Sequence, residues 1–112
     1  MALTTTYSVT EPTRDEVDDF AGPAVLEFGS PTCGYCYAAQ PAIASALAGH
    51  ADVRHIKIAD GRGRRLGRSF GVKLWPTLVF MNEGKELARL VRPDGPAPIR
   101  EALRRMDAPA AE

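Results

Sequence analysis

The strongest constraint on this 112-residue chain is the run from Ala24 to Ile58, which reads as strand, helix, strand with a pair of cysteines where the helix begins. Ala24-Val25-Leu26-Glu27-Phe28 is short and mostly apolar, the pattern of a buried strand. Gly29-Ser30-Pro31-Thr32 is a turn, and Cys33-Gly34-Tyr35-Cys36 follows it directly. The chain is then rich in alanine, a strong helix former, as far as Leu47, with Pro41 interrupting the helix and Gly49 closing it. Residues 53–58 read as the next strand. A strand–helix–strand unit favours a parallel pair with a right-handed crossover, so the expected class is α/β.

The flanking segments extend this frame. Tyr7-Ser8-Val9 reads as a short first strand, and Thr13-Arg14-Asp15-Glu16 as a capping box opening an acidic helix through Phe20 that Gly22-Pro23 ends. Residues 61–71 read as a loop with a short basic helix. Thr77-Leu78-Val79-Phe80-Met81 is a strand, Asn82-Glu83-Gly84-Lys85 a hairpin turn, and residues 86–91 the returning strand. A closing helix over 96–106 carries Ile99, Ala102, Leu103 and Met106 on one face. Length and continuity predict one domain over residues 1–112, frayed at 107–112.

Charge narrows the function classes. Lysine and arginine total 14, as do aspartate and glutamate, so the formal net charge is zero. Residues 1–60 carry eight acids and three bases, whereas 61–112 carry six acids and eleven bases. Such a chain has no strong pull toward nucleic acid or membrane, although one face is basic. The cluster Arg62, Arg64, Arg65 and Arg68 lacks the interleaved aromatics of a nucleic-acid surface and reads as a solvated helix face. Together with Arg92 it can instead steer acidic partners. No run approaches the ~20 apolar residues of a membrane span. The N-terminus lacks a basic and apolar leader pattern, so the expected location is the cytoplasm.

Two cysteines cannot make a disulfide framework; spaced C-x-x-C in a reducing compartment they do redox chemistry or bind metal. Exchange needs an exposed thiolate with a second thiol close behind it. The start of a helix supplies both, because free N–H groups and the helix dipole stabilise negative charge on the first sulfur. Cys33 is then the attacking nucleophile and Cys36, one turn inside, resolves the mixed disulfide. The metal alternative joins Cys33 and Cys36 to His50 and His55 in a nearly Cys2His2 spacing. Against it, Gly49 precedes His50 and His55 lies in a β-like run, so His50 reads as a helix-end cation and His55 as an ordinary strand residue. Glu27 has two readings: a strand-edge acid facing water, or a buried acid with a raised pKa that exchanges protons with Cys36. Pro76, directly before an apolar strand, is a candidate cis-proline. Tyr35 and Trp75 are candidates for an apolar rim around the sulfurs, while Phe70 reads as core.

Leu26-Glu27-Phe28, Pro31, Cys33-Gly34-Tyr35-Cys36 and Pro41 together resemble the active-site strand and helix of the thioredoxin superfamily. Trp75-Pro76-Thr77 resembles its cis-proline loop and Asn82-Glu83-Gly84 its hairpin, so the likeness runs from about Tyr7 to Met106. The resemblance implies a thioredoxin fold, a central mixed sheet of four to five strands flanked by helices. It implies a disulfide oxidoreductase with Cys33, Cys36 and Glu27 as catalytic residues and Trp75, Pro76 and Tyr35 at the substrate. The implied partners are disulfide-containing proteins and an electron donor such as a thioredoxin reductase, acting on a monomer with no cofactor and no metal. Lys57 corresponds to the lysine near the family's buried acid, if the strand register holds. Thr32, Gly34-Tyr35, Glu27, Trp75 and Arg92-Pro93 depart from the usual thioredoxin residues, which bears on partners and redox direction. A different function class is a redox-gated binding module that holds a partner and turns over little.

Overall fold

The computed structural model describes residues 5–8 and 10–107. Its elements in chain order are α1 (Arg14–Asp18), β1 (Pro23–Gly29), α2 (Gly34–Leu47), β2 (Arg54–Ala59), α3 (Arg65–Ser69), β3 (Thr77–Asn82), β4 (Lys85–Val91) and α4 (Pro96–Asp107). The strands form one mixed sheet in the order β2-β1-β3-β4. β1 and β2 are parallel, as a strand–helix–strand unit requires, and the other pairs are antiparallel. The sheet of four to five strands is four strands plus one bridge, Tyr7 to Lys57, on the β2 edge. Val9, the third residue of the expected first strand, and residues 108–112 of the expected frayed tail lie outside the described residues.

Local chemistry sets the element ends. The Thr13 hydroxyl accepts the Glu16 N–H at 3.1 Å, and the Glu16 carboxylate accepts the Thr13 N–H at 2.8 Å, which completes the capping box. α1 stops at Asp18 rather than Phe20; Gly22, at φ 75°, turns the chain into β1 just beyond. The β3–β4 hairpin turns on Glu83 (φ 52°) and Gly84 (φ 77°), the two positive φ values a tight two-residue hairpin demands. α2 continues through Pro41, whose missing N–H costs one ladder bond, and Gly49 follows its end at φ 85°.

Alternation along the strands divides the core into two layers. On one face Val25, Leu78 and Phe80 pack against Ile43 and Leu47 of α2 and Ile99, Leu103 and Met106 of α4. On the other, Leu26, Phe28, Val79 and Met81 pack with Val17, Leu66 and Phe70. Each such fully buried side chain contributes about 1.5–3 kcal/mol of transfer free energy. This parity has a functional consequence: Glu27 shares the face of Val25 and points under α2, toward the cysteine helix.

Candidate active site

β1 ends at Gly29, and the Ser30–Thr32 turn carries the chain to α2, with the Cys33 N–H donating to the Ser30 carbonyl at 3.2 Å. Cys33 is the N-cap of α2 (φ −87°, ψ 116°), and its Sγ accepts the Cys36 N–H at 3.1 Å. This is the contact that stabilises a thiolate at a helix start. Both cysteines are free thiols; Cys33 is half-buried and Cys36 buried. Burial pushes the Cys36 thiol up to about 12, helped by its hydrogen bond to Cys33 and the negative charges at Cys33 and Glu27, and opposed by a backbone hydrogen bond at Ser30. The inner sulfur fits because residue 29 is glycine. A Cβ there would stand 2.6 Å from Cys36 Sγ and 3.1 Å from the Tyr7 hydroxyl.

Glu27 is fully buried, which removes the reading of a strand-edge acid facing water. The expected rise in its pKa is also incorrect. Burial pushes the carboxyl up, but hydrogen bonds from His55 and Gln40 and the charge of Lys57 outweigh it and hold the group below the ordinary carboxylate value. His55 Nε2 donates to Glu27 Oε1 at 2.8 Å, and Gln40 Nε2 donates to Oε2 at 2.8 Å. Lys57 Nζ lies 3.4 Å from Oε2 and donates to Gln40 Oε1 at 3.0 Å. Gln40 Nε2 also reaches the Cys36 carbonyl at 2.8 Å, so one side chain ties the acid to the cysteine helix.

His55 is therefore not an ordinary strand residue. The register pairs Glu27 with Lys57 and Val25 with His55, so both β2 side chains lie on the acid's face. This settles the placement of Lys57 and adds His55 and Gln40 as site residues. A usable signal was present in the sequence: His55 and Lys57 stand two apart, on one face of the strand, and Gln40 stands one helical turn beyond Cys36. Tyr7 is a further addition. Its hydroxyl hydrogen-bonds Cys36, and Lys57 Nζ lies 4.8 Å from its ring centroid. Burial, then the charges of Cys36, Glu27 and Cys33, push its phenol well above the ordinary tyrosine value, so it stays protonated. Tyr7, Cys33, Cys36, Gln40 and Lys57 line a cavity of about 310 Å³.

The remaining predicted residues meet at the rim. The Trp75–Pro76 peptide bond is cis. The Trp75 indole N–H donates to Asp60 Oδ2 at 2.9 Å, and the Asp60 N–H donates to the Gly29 carbonyl at 2.7 Å. Arg92 bridges the rim. Its backbone N–H donates to the Pro76 carbonyl at 2.9 Å, its Nε to the Trp75 carbonyl at 2.8 Å, and its guanidinium carbon lies 3.8 Å from the Tyr35 ring centroid. Tyr35 is 61% exposed, whereas Phe70 is core, 5.7 Å from Phe28 between ring centroids. The Cys2His2 set is not brought together: His55 is held on Glu27, and among the described residues no three His, Cys, Asp or Glu side chains are grouped to hold a metal ion.

A half-buried N-cap thiol, a buried thiol one turn behind it, and a buried carboxylate beneath, in this strand order, define a dithiol protein of the thioredoxin fold. A family model for thioredoxin matches residues 5–105, and the chain belongs to the thioredoxin family of thiol–disulfide oxidoreductases. It is 50% identical to thioredoxin 2 from Pseudomonas aeruginosa PAO1, solved in its reduced form, with a TM-score of 0.82 over 93% of this chain and 96% of that one. Mitochondrial thioredoxin 3 from Saccharomyces cerevisiae, in its oxidized form, is 20% identical with a TM-score of 0.69 over 81% of this chain and 84% of that one, a likeness of fold. Thioredoxin Asp f 28 from Aspergillus fumigatus is 27% identical over 71 residues, which are 63% of this chain and 66% of that protein.

Proposed function

We propose that this protein reduces disulfides in protein substrates by a two-step exchange at Cys33 and Cys36, working as a single-domain monomer in the cytoplasm and contributing to its thiol balance. The observation that carries the reading is the asymmetry of the two sulfurs, one capping a helix at the surface and one buried behind it.

The Cys33 thiolate attacks one sulfur of the substrate disulfide. A Cys33–substrate bond forms, the substrate S–S bond breaks, and the leaving sulfur departs as a thiolate that takes a proton from solvent. Cys36 then loses its proton and attacks Cys33 Sγ. The Cys33–Cys36 bond forms, the mixed disulfide breaks, and the second substrate thiolate leaves and is protonated. The substrate gains two electrons and the Cys33–Cys36 pair loses two. A partner able to supply two electrons, such as a thioredoxin reductase, returns the pair to dithiol.

Cys36 is the difficult thiol to ionise, and the surrounding residues answer that need. Tyr7 is a protonated phenol at its sulfur, placed to donate to the thiolate as it forms. Glu27, ionised and held by His55, Gln40 and Lys57, is the base that receives the proton. The cavity beside Cys36 has polar walls in Tyr7, Gln40 and Lys57, is large enough for bridging water, and meets Glu27 through Gln40 and Lys57.

Turnover of insulin disulfides with a thioredoxin reductase and NADPH tests this directly. Sustained turnover supports a reductase; retained binding of a partner without turnover under any donor supports a binding module instead. The reduction potential sets the direction, with about −270 mV expected for a reductase and about −120 to −180 mV for an oxidant or isomerase.

A further inference from the structure

Arg92 has an unusual backbone for a residue with a side chain. Its φ is +50°, in the left-handed region that disfavours a Cβ. Glu83, the other such residue among those described, sits in a two-residue hairpin that demands positive φ. Arg92 lies instead just past the end of β4, where its N–H meets the Pro76 carbonyl. Strain of this kind persists at sites where a side chain must be held in one place.

What the side chain does there is specific. Its Nε is spent on the Trp75 carbonyl, and its planar face stacks on Tyr35, the residue between the two cysteines. The guanidinium is thus fixed in position and orientation. Its two Nη groups make no hydrogen bond or ion pair among the described residues. A guanidinium held by Nε and by its face still has its Nη1/Nη2 edge, which matches the two oxygens of a carboxylate. Asp94 shares a groove of about 370 Å³ with Arg92, Tyr35 and Pro93 but forms no ion pair with it. The wider surface has the same sign as Arg92. Asp60, whose carboxylate takes the Trp75 indole N–H, lines a second pocket with Arg64, Arg68 and Lys73.

We infer that Arg92 is a specificity-determining residue that docks an Asp or Glu side chain lying beside the target disulfide, so that the preferred substrates are proteins whose reducible cysteine has an acidic neighbour. The inference rests on the disulfide-reductase reading above and names its substrate class. The stack on Tyr35 and the bond to Trp75 place this charge at the rim of the dithiol, where it acts on the bound substrate and on its approach.

The test is kcat/KM on three matched disulfide peptides, with Asp/Glu, Ser or Lys/Arg flanking the cysteines, for wild type, R92Q, R92K and R92G at low and high KCl. Wild type is expected to prefer the acidic over the basic peptide by about tenfold or more at low salt, and less at high salt. In R92Q and R92G that ratio is expected to fall to near one, and in R92K to an intermediate value, because a lysine is not a fork. Equal kcat/KM on all three peptides in wild type overturns the inference and leaves the reductase reading standing. A preference that persists in R92Q overturns it too, and assigns the effect to the field of Arg64, Arg68 and Lys73. Failure of wild type on every peptide is a failure of the reductase reading itself.

Discussion

His55 Nε2 and Glu27 Oε1 stand 2.8 Å apart with both side chains fully out of solvent. A buried carboxylate held this way is a base kept in its charged form by neighbours rather than by water. Replacing Glu27 with Ala is expected to slow resolution at neutral pH by at least about tenfold, because a positioned general base is lost. Attack by Cys33 is expected to change far less. Stopped-flow measurement of the two phases separates them, and an unchanged second phase would return Glu27 to a purely structural role.

The same pair predicts a pH dependence of stability. The folded carboxyl lies below its ordinary value, so the stability it contributes is fully present above the ordinary carboxylate range and is lost as pH falls through the depressed folded value. His55→Ala removes one of the donors that lower it. The loss is then expected to be smaller and to end at a higher pH in that variant, while His55→Gln, which keeps an N–H donor, stays closer to wild type. Urea midpoints between pH 3 and 7 measure the shift, and superimposable profiles for all three proteins would rule out the coupling.

Cys36 supplies a chemical signature. With its thiol pushed up to about 12, it stays protonated and buried through the physiological range. Iodoacetamide is expected to label Cys33 alone in the native dithiol protein at pH 7, and Cys36 only after unfolding. In Cys33→Ser the native labelling rate is expected to climb steeply only well above pH 9. Equal labelling of both cysteines at neutral pH would contradict the outer and inner assignment.

Gly29 links strand and site. An alanine Cβ would stand 2.6 Å from Cys36 Sγ, closer than non-bonded atoms approach. Gly29→Ala is expected to cost about 1–3 kcal/mol, as overpacking does in a close-fitting interior, and to slow exchange by displacing the inner sulfur. Chemical denaturation and the insulin assay measure the two effects. Wild-type values in both would show that α2 has room to move away from β1.

Much of the fold was legible because apolar periodicity and turn residues agreed. Ala24–Phe28, the alanine run to Leu47 and Thr77–Met81 became β1, α2 and β3, and the faces named on the closing helix are the buried ones. The two cysteines, Glu27 and Pro76 were legible from spacing. Their electrostatic partners were not. His55 and Lys57 meet Glu27 only through the parallel β1–β2 register, which sets strand 24–29 against strand 54–59 across thirty residues of chain. Local propensity contains no such alignment. For the same reason the sign of the Glu27 shift is not readable from the sequence: burial alone raises a carboxyl, and the hydrogen bonds from His55 and Gln40 with the charge of Lys57 reverse that. Tyr7 reads as a strand residue in the sequence, but its place at Cys36 follows only from the long-range bridge to Lys57.

Dithiol exchange with Cys33 outside and Cys36 inside is tested most directly by trapping. Cys36→Ser, incubated with a disulfide-containing protein, is expected to accumulate a covalent adduct through Cys33, visible by intact mass and released by dithiothreitol, while Cys33→Ser forms none and has no exchange activity. Wild-type exchange in both variants, or an adduct that forms on Cys36 in place of Cys33, would contradict it.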